Sequence, residues 1–256
     1  MSGLHKSGML SGALLAGGAA LAVAQGGPGL TALAPVRRLF PRLAGAGQPD
    51  HVALTFDDGP DPRFTPRVLA MLDARRVHAT FFLLGPMVQA APGLAAEIAS
   101  AGHEIAVHGW EHRYATVRGP GALHDDLARA CDTIAAATGA VPALYRPPYG
   151  VLSAGALIAA RRLGLQPILW SSWGREWALG ATPGSVQATL ASTLDGGATV
   201  LLHDSEAAAP AGTAAAALGA LPWLLDECGR RGLRAGPLTE HLGDGPSLSE
   251  HPGLRG

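Results

Sequence analysis

The chain has 256 residues, of which 15% are charged and 48% belong to the apolar set AVILMFWYC, and its formal net charge is -1. This composition excludes a chain that is disordered throughout, and the lack of a basic excess argues against nucleic acid as a partner. We therefore expect a sizeable apolar core in one large domain.

The two ends of the chain differ from its middle. Residues 1–24 carry His5 and Lys6, then a long Ala/Leu/Gly run that ends in a small-residue cleavage motif. This pattern predicts a secretory signal peptide or an uncleaved membrane anchor, so the protein would be secreted or attached to the outer face of the cell membrane. Residues 25–50, rich in Gly, Pro and Ala, are interpreted as a linker, and residues 244–256 as a flexible tail.

From residue 51 to 243, short apolar runs alternate with longer amphipathic runs, which predicts a single catalytic domain of α/β class built on a mainly parallel sheet. The sheet could be open or closed as a barrel. The predicted strands are 51–56, 79–84, 103–108, 143–146, 166–170, 198–203 and 233–235. The predicted helices are 65–76, 92–101, 123–138, 153–163, 185–194 and 214–231.

Unusual polar residues follow five of the predicted strands. In parallel α/β folds the chemistry gathers at the carboxyl ends of the strands, whereas residues with purely structural roles have no reason to choose that end repeatedly. The sequence therefore predicts one site, assembled from Asp57 and Asp58, His108 to His112, Arg146 to Gly150, Trp170 to Trp177, and His203.

His108 and His112 are four residues apart, which on a helical turn would place both imidazoles on one side. One strand-end aspartate would complete a two-nitrogen, one-oxygen triad with positions left open for water and substrate, as in hydrolytic zinc sites. Adjacent residues of an extended strand point in opposite directions, so we expect the other aspartate to have a different task, that of a base. A non-haem iron oxygenase uses a similar triad, but the βα alternation argues against that class.

Further residues can assist this site. Arg146 could orient a carboxylate and keep it ionised, and His203 could donate a proton to a leaving group. The tryptophans at 170, 173 and 177 could pack in the core, stack against sugar rings or line an acyl pocket, and the sequence does not decide between these roles.

The segments TFDDGP, HGWEH, RPPYG, the Trp/Glu-Trp stretch and LLH, taken in order, resemble the motif set of the polysaccharide deacetylase family, carbohydrate esterase family 4. The resemblance covers residues 51–241. It implies a distorted (β/α) barrel of about seven parallel strands, acting as a monomer. It also implies metal-dependent removal of acetyl groups from N-acetylated sugars of peptidoglycan or chitin-like glycans, with zinc, or else cobalt, as the metal. A glycan-binding module that kept the cleft and lost turnover is the non-enzymatic alternative.

The same resemblance implies a role for each site residue. It implies that Asp57 is the general base positioned by Arg146, that Asp58, His108 and His112 bind the metal, and that His203 is the general acid. The Tyr149 amide would stabilise an oxyanion, and Leu201 and Trp177 would border the acetyl methyl group. Two positions depart from the family pattern. Gly109 stands where Ser or Thr usually braces the metal-binding loop, and Glu176 stands where an Asp commonly tunes the acid histidine.

Overall fold

The computed structural model describes residues 25–243. The predicted signal peptide or anchor (1–24) and the predicted flexible tail (244–256) lie outside the described residues. Within residues 25–243, none of the helices is both long enough and apolar enough to span a membrane.

One sheet with parallel pairing throughout forms the centre of the fold. Seven strands follow the order β5-β4-β3-β2-β1-β7-β6, and β8 pairs with the first half of β1. The predicted α/β class and distorted barrel of about seven parallel strands are thereby confirmed, as a curled half-barrel. The strands are β1 (His51–Asp57), β2 (Thr80–Leu84), β3 (Glu104–Gly109), β4 (Leu144–Tyr145), β5 (Gln166–Pro167), β6 (Ser172–Trp173), β7 (Thr199–His203) and β8 (Arg234–Gly236).

Helices connect these strands and cover the outside of the sheet. Proline lies in the first turn of several of them, where its missing N–H has no helical partner to lose. The α-helices are α1 (Ala34–Arg37), α2 (Thr65–Arg75), α3 (Gly85–Ala90), α4 (Pro92–Ser100), α5 (Pro120–Thr138), α6 (Ala154–Arg162), α7 (Pro183–Thr193), α8 (Thr213–Arg230) and α9 (Leu238–Leu242).

The elements differ from the sequence prediction in a few places. Helices α5 and α7 begin three and two residues earlier than predicted, at the prolines Pro120 and Pro183, and Thr182 caps α7 by accepting a hydrogen bond from the Ser185 amide. The short helices α3 and α9 and the two-residue strand β6 were not predicted. Each is too short to show a hydrophobic period.

Strand β1 is buried on both faces. Leu54 and Phe56 belong to the large core cluster shared with the helices, whereas Ala53 packs in a smaller cluster with Phe82 and Ile168. This arrangement explains why the sequence of β1 is continuously apolar rather than alternating. It also places Thr55 and Asp57 in phase with Ala53, on the face of β1 that carries the smaller cluster.

Residues 25–50, interpreted above as a linker, contain a 3₁₀-helix (Gly27–Ala32) and α1, and then run along the sheet near β5 and β6. The Leu169 amide donates to the Leu43 carbonyl at 2.7 Å. The Arg37 guanidinium carbon lies 5.1 Å from the ring centre of Trp170 and 5.6 Å from that of Trp173. This segment therefore packs against the place where the chain passes from β5 to β6.

A buried histidine pair ties this segment to both ends of the domain. His241 in α9 donates from Nε2 to the Gly45 carbonyl at 3.0 Å. Its Nδ1 is therefore unprotonated and accepts from Nδ1 of His51, 3.0 Å away at the start of β1. Burial lowers the pKa of both histidines, that of His241 to about 4.

The lowered pKa of His241 predicts how the free energy of unfolding depends on pH. The unfolded histidine takes up a proton below about pH 6.5 but the folded one does not, so the free energy of unfolding falls as the pH drops from 7 toward 4. Gln can accept and donate at the same two places without titrating. Between pH 7 and pH 5, we expect the free energy of unfolding of His241→Gln to fall by about 2 kcal/mol less than that of wild type.

Urea unfolding of the metal-free protein at the two pH values measures this difference. His124→Gln, a change on the outer surface of α5, is the matched control and should follow wild type. Equal losses for wild type and His241→Gln would contradict the assignment.

Candidate active site

A cleft of about 290 Å³ opens at the carboxyl ends of the strands. The residues to which the sequence assigns a catalytic, metal-binding or substrate-binding role line it, except Arg146 and Glu176, which lie buried behind its wall. The lining residues are Asp57, Asp58, His108, His112, Tyr149, Trp170, Trp177, Leu201, His203, Ala208, Ala209 and Pro210. Residues that are far apart in the chain therefore meet at the carboxyl ends of the strands, as predicted.

Three of these side chains form a group that can hold a metal ion. Single ligand atoms of Asp58, His108 and His112 all lie within 4.8 Å of one another. Asp58 Oδ1 lies 3.4 Å from His108 Nε2 and 3.5 Å from His112 Nε2. Within residues 25–243 this buried oxygen has no hydrogen-bond partner, and burial raises the pKa of Asp58 to about 6. A buried carboxylate oxygen that faces two imidazole nitrogens fits a cation.

The tautomer of His108 also suits a ligand. Its Nδ1 lies 2.8 Å from the Arg146 carbonyl, which can only accept, so Nδ1 carries the proton and Nε2 has a free lone pair. Burial and the Arg146 charge lower the pKa of His108 to about 3. Burial together with the neighbouring His108 lowers the pKa of His112 to about 3 as well. Both imidazoles are neutral at pH 7, as metal binding requires.

The backbone reaches this geometry differently from the sequence expectation. His108 lies in β3 and His112 in the loop that follows, so the pair does not occupy a helical turn as predicted. Asp58 has a left-handed backbone with a φ of 74° and does not continue the extended strand. Consequently Asp57 and Asp58 both approach His108 Nε2, at 3.9 and 3.4 Å, rather than pointing to opposite sides.

Asp57 is held by a buried arginine. Arg146 Nη1 donates to Asp57 Oδ1 and to Thr55 Oγ1, both at 2.7 Å. Both partners are almost completely buried, with Arg146 at 0% and Asp57 at 2% relative exposure. The other carboxylate oxygen of Asp57 faces the metal-ligand group, because Oδ2 is the atom that lies 3.9 Å from His108. The arrangement leaves one oriented oxygen for chemistry.

His203 is the histidine of the site that favours the charged form. Its Nδ1 lies 2.8 Å from Oε1 of the buried Glu176. Burial would lower the pKa of His203, but the hydrogen bond and charge of Glu176 outweigh it and raise the pKa to about 9. Nε2 lies 4.0 Å from Asp58 Oδ2, on the side of the metal-ligand group. Glu176, whose side chain is longer than that of the expected aspartate, therefore hydrogen-bonds directly to His203.

The remaining predicted residues form the walls. Tyr149 is half-exposed, has a φ of 59° and packs edge-on against His112. Trp177 packs edge-on against His203 with ring centres 5.5 Å apart, and Leu201 is buried in β7. Of the tryptophans that the sequence left undecided, Trp170 and Trp177 line the cleft. Trp173 does not line it and packs under Arg37.

Sequence reasoning missed two parts of the site. The rim formed by 208–210 is a run of Ala and Pro with no chemical signal. Asp126, which accepts hydrogen bonds from the loop before His112, sits in an amphipathic helix beside another aspartate, Asp125. Only the three-dimensional packing of α5 against that loop distinguishes the two.

A curled parallel α/β sheet with an Asp-His-His group at its carboxyl edge defines an α/β protein with a candidate divalent-metal centre. The family model for polysaccharide deacetylases matches residues 44–168. A chitooligosaccharide deacetylase of Bradyrhizobium sp. (strain ANU 289) is 34% identical over 212 residues, which span 80% of this chain and 95% of that protein. A peptidoglycan-N-acetylglucosamine deacetylase of Bacillus cereus is 34% identical over 196 residues, which span 75% of this chain and 87% of that protein.

Among solved structures, a mutant of BA3943 from Bacillus anthracis superposes with a TM-score of 0.70 at 26% identity. It covers 76% of this chain and 68% of its own, and is described as a family 4 carbohydrate esterase pseudoenzyme with restored enzymatic activity. The chain belongs to the polysaccharide deacetylase family, and the expected hydrolytic deacetylase class is confirmed.

The two adjacent aspartates should separate in a metal-binding experiment. We expect Asp58→Asn to weaken Zn²⁺ binding by more than about 100-fold, because losing a residue that only supports a ligand already lowers affinity about 10–100-fold. Asp57→Asn should keep affinity near the wild-type value, since Asp57 is engaged by Arg146. Competition with a chromophoric chelator gives both constants. Equal affinities for the two variants would contradict the division of tasks.

Proposed function

We propose that this protein hydrolyses N-acetyl groups of amino sugars in peptidoglycan or chitin-like glycans, using a divalent metal held by Asp58, His108 and His112. The observation that carries the proposal is the joint placement in one cleft of an Asp-His-His group, an arginine-held carboxylate and a histidine hydrogen-bonded to a buried glutamate. The relatives named above, a chitooligosaccharide and a peptidoglycan deacetylase, support this substrate class.

A divalent metal held by Asp58, His108 and His112 would act as a Lewis acid there, which would polarise the amide carbonyl and make water more acidic. Zinc suits a site with two nitrogens and one oxygen, and cobalt is the alternative. Asp58 is the oxygen ligand because its free Oδ1 faces both imidazoles.

Asp57 removes the proton from the attacking water through the oxygen that Arg146 leaves free. His203, held in the charged form by Glu176, donates a proton to the departing amine. The products are acetate and a free amino sugar. The Tyr149 amide stabilises the oxyanion, and Leu201 and Trp177 border the acetyl methyl group.

The proposed cellular location of the enzyme follows from its proposed substrate. A polymeric wall glycan is reached from outside the membrane, so we propose a secreted or surface-attached protein that acts as a monomer on an acetylated glycan. A signal peptide or anchor in residues 1–24 agrees with that placement.

Two other functions can be weighed against this geometry. A non-haem iron oxygenase would need the same triad, but nothing in its chemistry requires a carboxylate held by arginine beside a charged histidine. A glycan-binding module has to be considered because a member of the same fold is a pseudoenzyme. The set of base, acid and ligands in this cleft is complete, which favours turnover.

Acetate release tests the proposal. We expect the purified protein supplied with Zn²⁺ or Co²⁺ to liberate acetate from N-acetylglucosamine oligomers or from peptidoglycan. Asp57→Asn should lower kcat by about 10²–10⁴-fold while keeping the metal, as expected for loss of a general base. Bound metal without acetate release from chitin oligomers, peptidoglycan or acetylxylan would identify a binding module instead.

The Glu176–His203 pair gives a second expectation. Glu176→Gln keeps the size of the side chain but removes the charge that holds the proton on His203. We expect kcat to fall about 100-fold or more with little change in KM, because proton donation matters in the transition state rather than in substrate binding. Glu97→Gln, a change at an exposed residue of α4 that does not line the cleft, is the control. A rise in KM at constant kcat would show that Glu176 contributes to binding instead.

A further inference from the structure

The loop between the two candidate histidine ligands is fastened to a neighbouring helix by one carboxylate. The Trp110 amide donates to Asp126 Oδ2 at 2.8 Å, and the Glu111 amide donates to Asp126 Oδ1 at 3.1 Å. These are two of the three residues that separate His108 from His112. The same side chain therefore holds consecutive backbone groups of the loop.

Asp126 is itself fixed. It lies on α5 with 9% relative exposure, and Arg118 Nη1 donates to its Oδ1 at 2.7 Å. Arg118 also donates to the Ala122 carbonyl at the start of α5. A buried carboxylate with three charge-assisted hydrogen bonds is a strong and directional anchor.

Gly109 makes this approach possible. Its φ is 116°, a conformation that residues with side chains rarely adopt, and a Cβ there would lie only 3.2 Å from Asp126 Oδ2. Gly109 itself has no side chain with which to brace the loop. The carboxylate from α5 occupies the adjoining space and holds the loop from outside.

Of the two candidate histidine ligands, the one that this loop carries has fewer fixed neighbours. His108 is fixed by β3 and by its hydrogen bond to the Arg146 carbonyl. His112 comes from irregular backbone and its ring makes an edge-on contact with the half-exposed Tyr149. A shift of the loop therefore moves one ligand and leaves the other in place.

We propose that Asp126, with Arg118, is the positioning residue of the metal site, holding the 109–111 loop so that His112 keeps its ligand position opposite Asp58 and His108. The inference rests on the metal site of the proposed function. Asp126 does not touch the metal or substrate, and acts through the backbone that carries His112. Supporting groups of this kind typically change metal affinity about 10–100-fold when lost.

Asp126→Asn tests this assignment with the full chain. The amide keeps the shape, but it turns an NH₂ toward a backbone N–H and removes the charge opposite Arg118. We expect Zn²⁺ affinity, measured by chelator competition, to fall about 10-fold or more. The visible absorption of the Co²⁺ protein should change, since it reports the ligand geometry. Asp125→Asn, on the exposed face of the same helix, should match wild type in both measurements.

The thermal midpoint of the metal-free protein separates positioning from general stability. A lower midpoint together with wild-type Zn²⁺ affinity and Co²⁺ spectrum would overturn the inference and leave Asp126 a purely structural residue. If Asp126→Asn does not fold, Arg118→Met is tested instead. That change keeps the hydrogen bonds from the Trp110 and Glu111 amides to Asp126 and removes the positive charge that pairs with the Asp126 carboxylate. Unchanged affinity in Arg118→Met would then overturn the inference.

The same measurements distinguish this inference from the proposed function. A wild-type protein that binds neither Zn²⁺ nor Co²⁺ contradicts the metal site and therefore both proposals. A wild-type protein that binds metal and fails to release acetate contradicts only the proposed reaction. In active protein, saturating metal should restore most of the kcat of Asp126→Asn, whereas it should not restore that of Asp57→Asn.

Discussion

The buried guanidinium of Arg146 is the interaction on which the site depends. It donates to Thr55 and Asp57 of β1 and to the carbonyls of Ile168 and Leu169 beyond β5. Its central carbon lies 4.0 Å above the Phe82 ring. Removing one partner from a buried ion pair costs about 3–5 kcal/mol, because the other charge is left uncompensated. The single side chain of Arg146 therefore joins β1 to the segment that follows β5 and at the same time orients Asp57.

The same residue also orders the metal-ligand group. The Arg146 carbonyl accepts the His108 proton and so selects the tautomer, while its guanidinium helps to keep that imidazole neutral. The RPPYG segment thus orients Asp57, the proposed base, through its guanidinium and His108, a proposed metal ligand, through its carbonyl. The ion pair with Asp57 and the other hydrogen bonds of the guanidinium compensate the complete burial of this arginine, which would otherwise be strongly unfavourable.

Some of this could be predicted from the sequence and some could not. The strand ends located Asp57, Asp58, His108, His112, Arg146 and His203, because parallel strands bring their carboxyl ends to one edge. The local backbone geometry of the site could not be predicted from the sequence. The left-handed backbone of Asp58 is imposed by its surroundings, and nothing in an HxxxH spacing separates a helical turn from a strand followed by a loop. Asp126 and its neighbour Asp125 look alike in sequence, and only the packing of α5 against the 109–111 loop gives one of them a task.

The three histidines of the cleft show how position sets chemistry. His108 and His112 are buried without a carboxylate hydrogen-bonded to their second nitrogen, so desolvation dominates and their pKa values fall to about 3. His203 is equally enclosed, but Glu176 lies behind it and raises its pKa to about 9. One residue type therefore offers two neutral imidazoles for the proposed metal and one charged imidazole for the proposed proton donation within the same cleft. The distinction lies in the group behind each ring, the Arg146 carbonyl for His108 and the Glu176 carboxylate for His203.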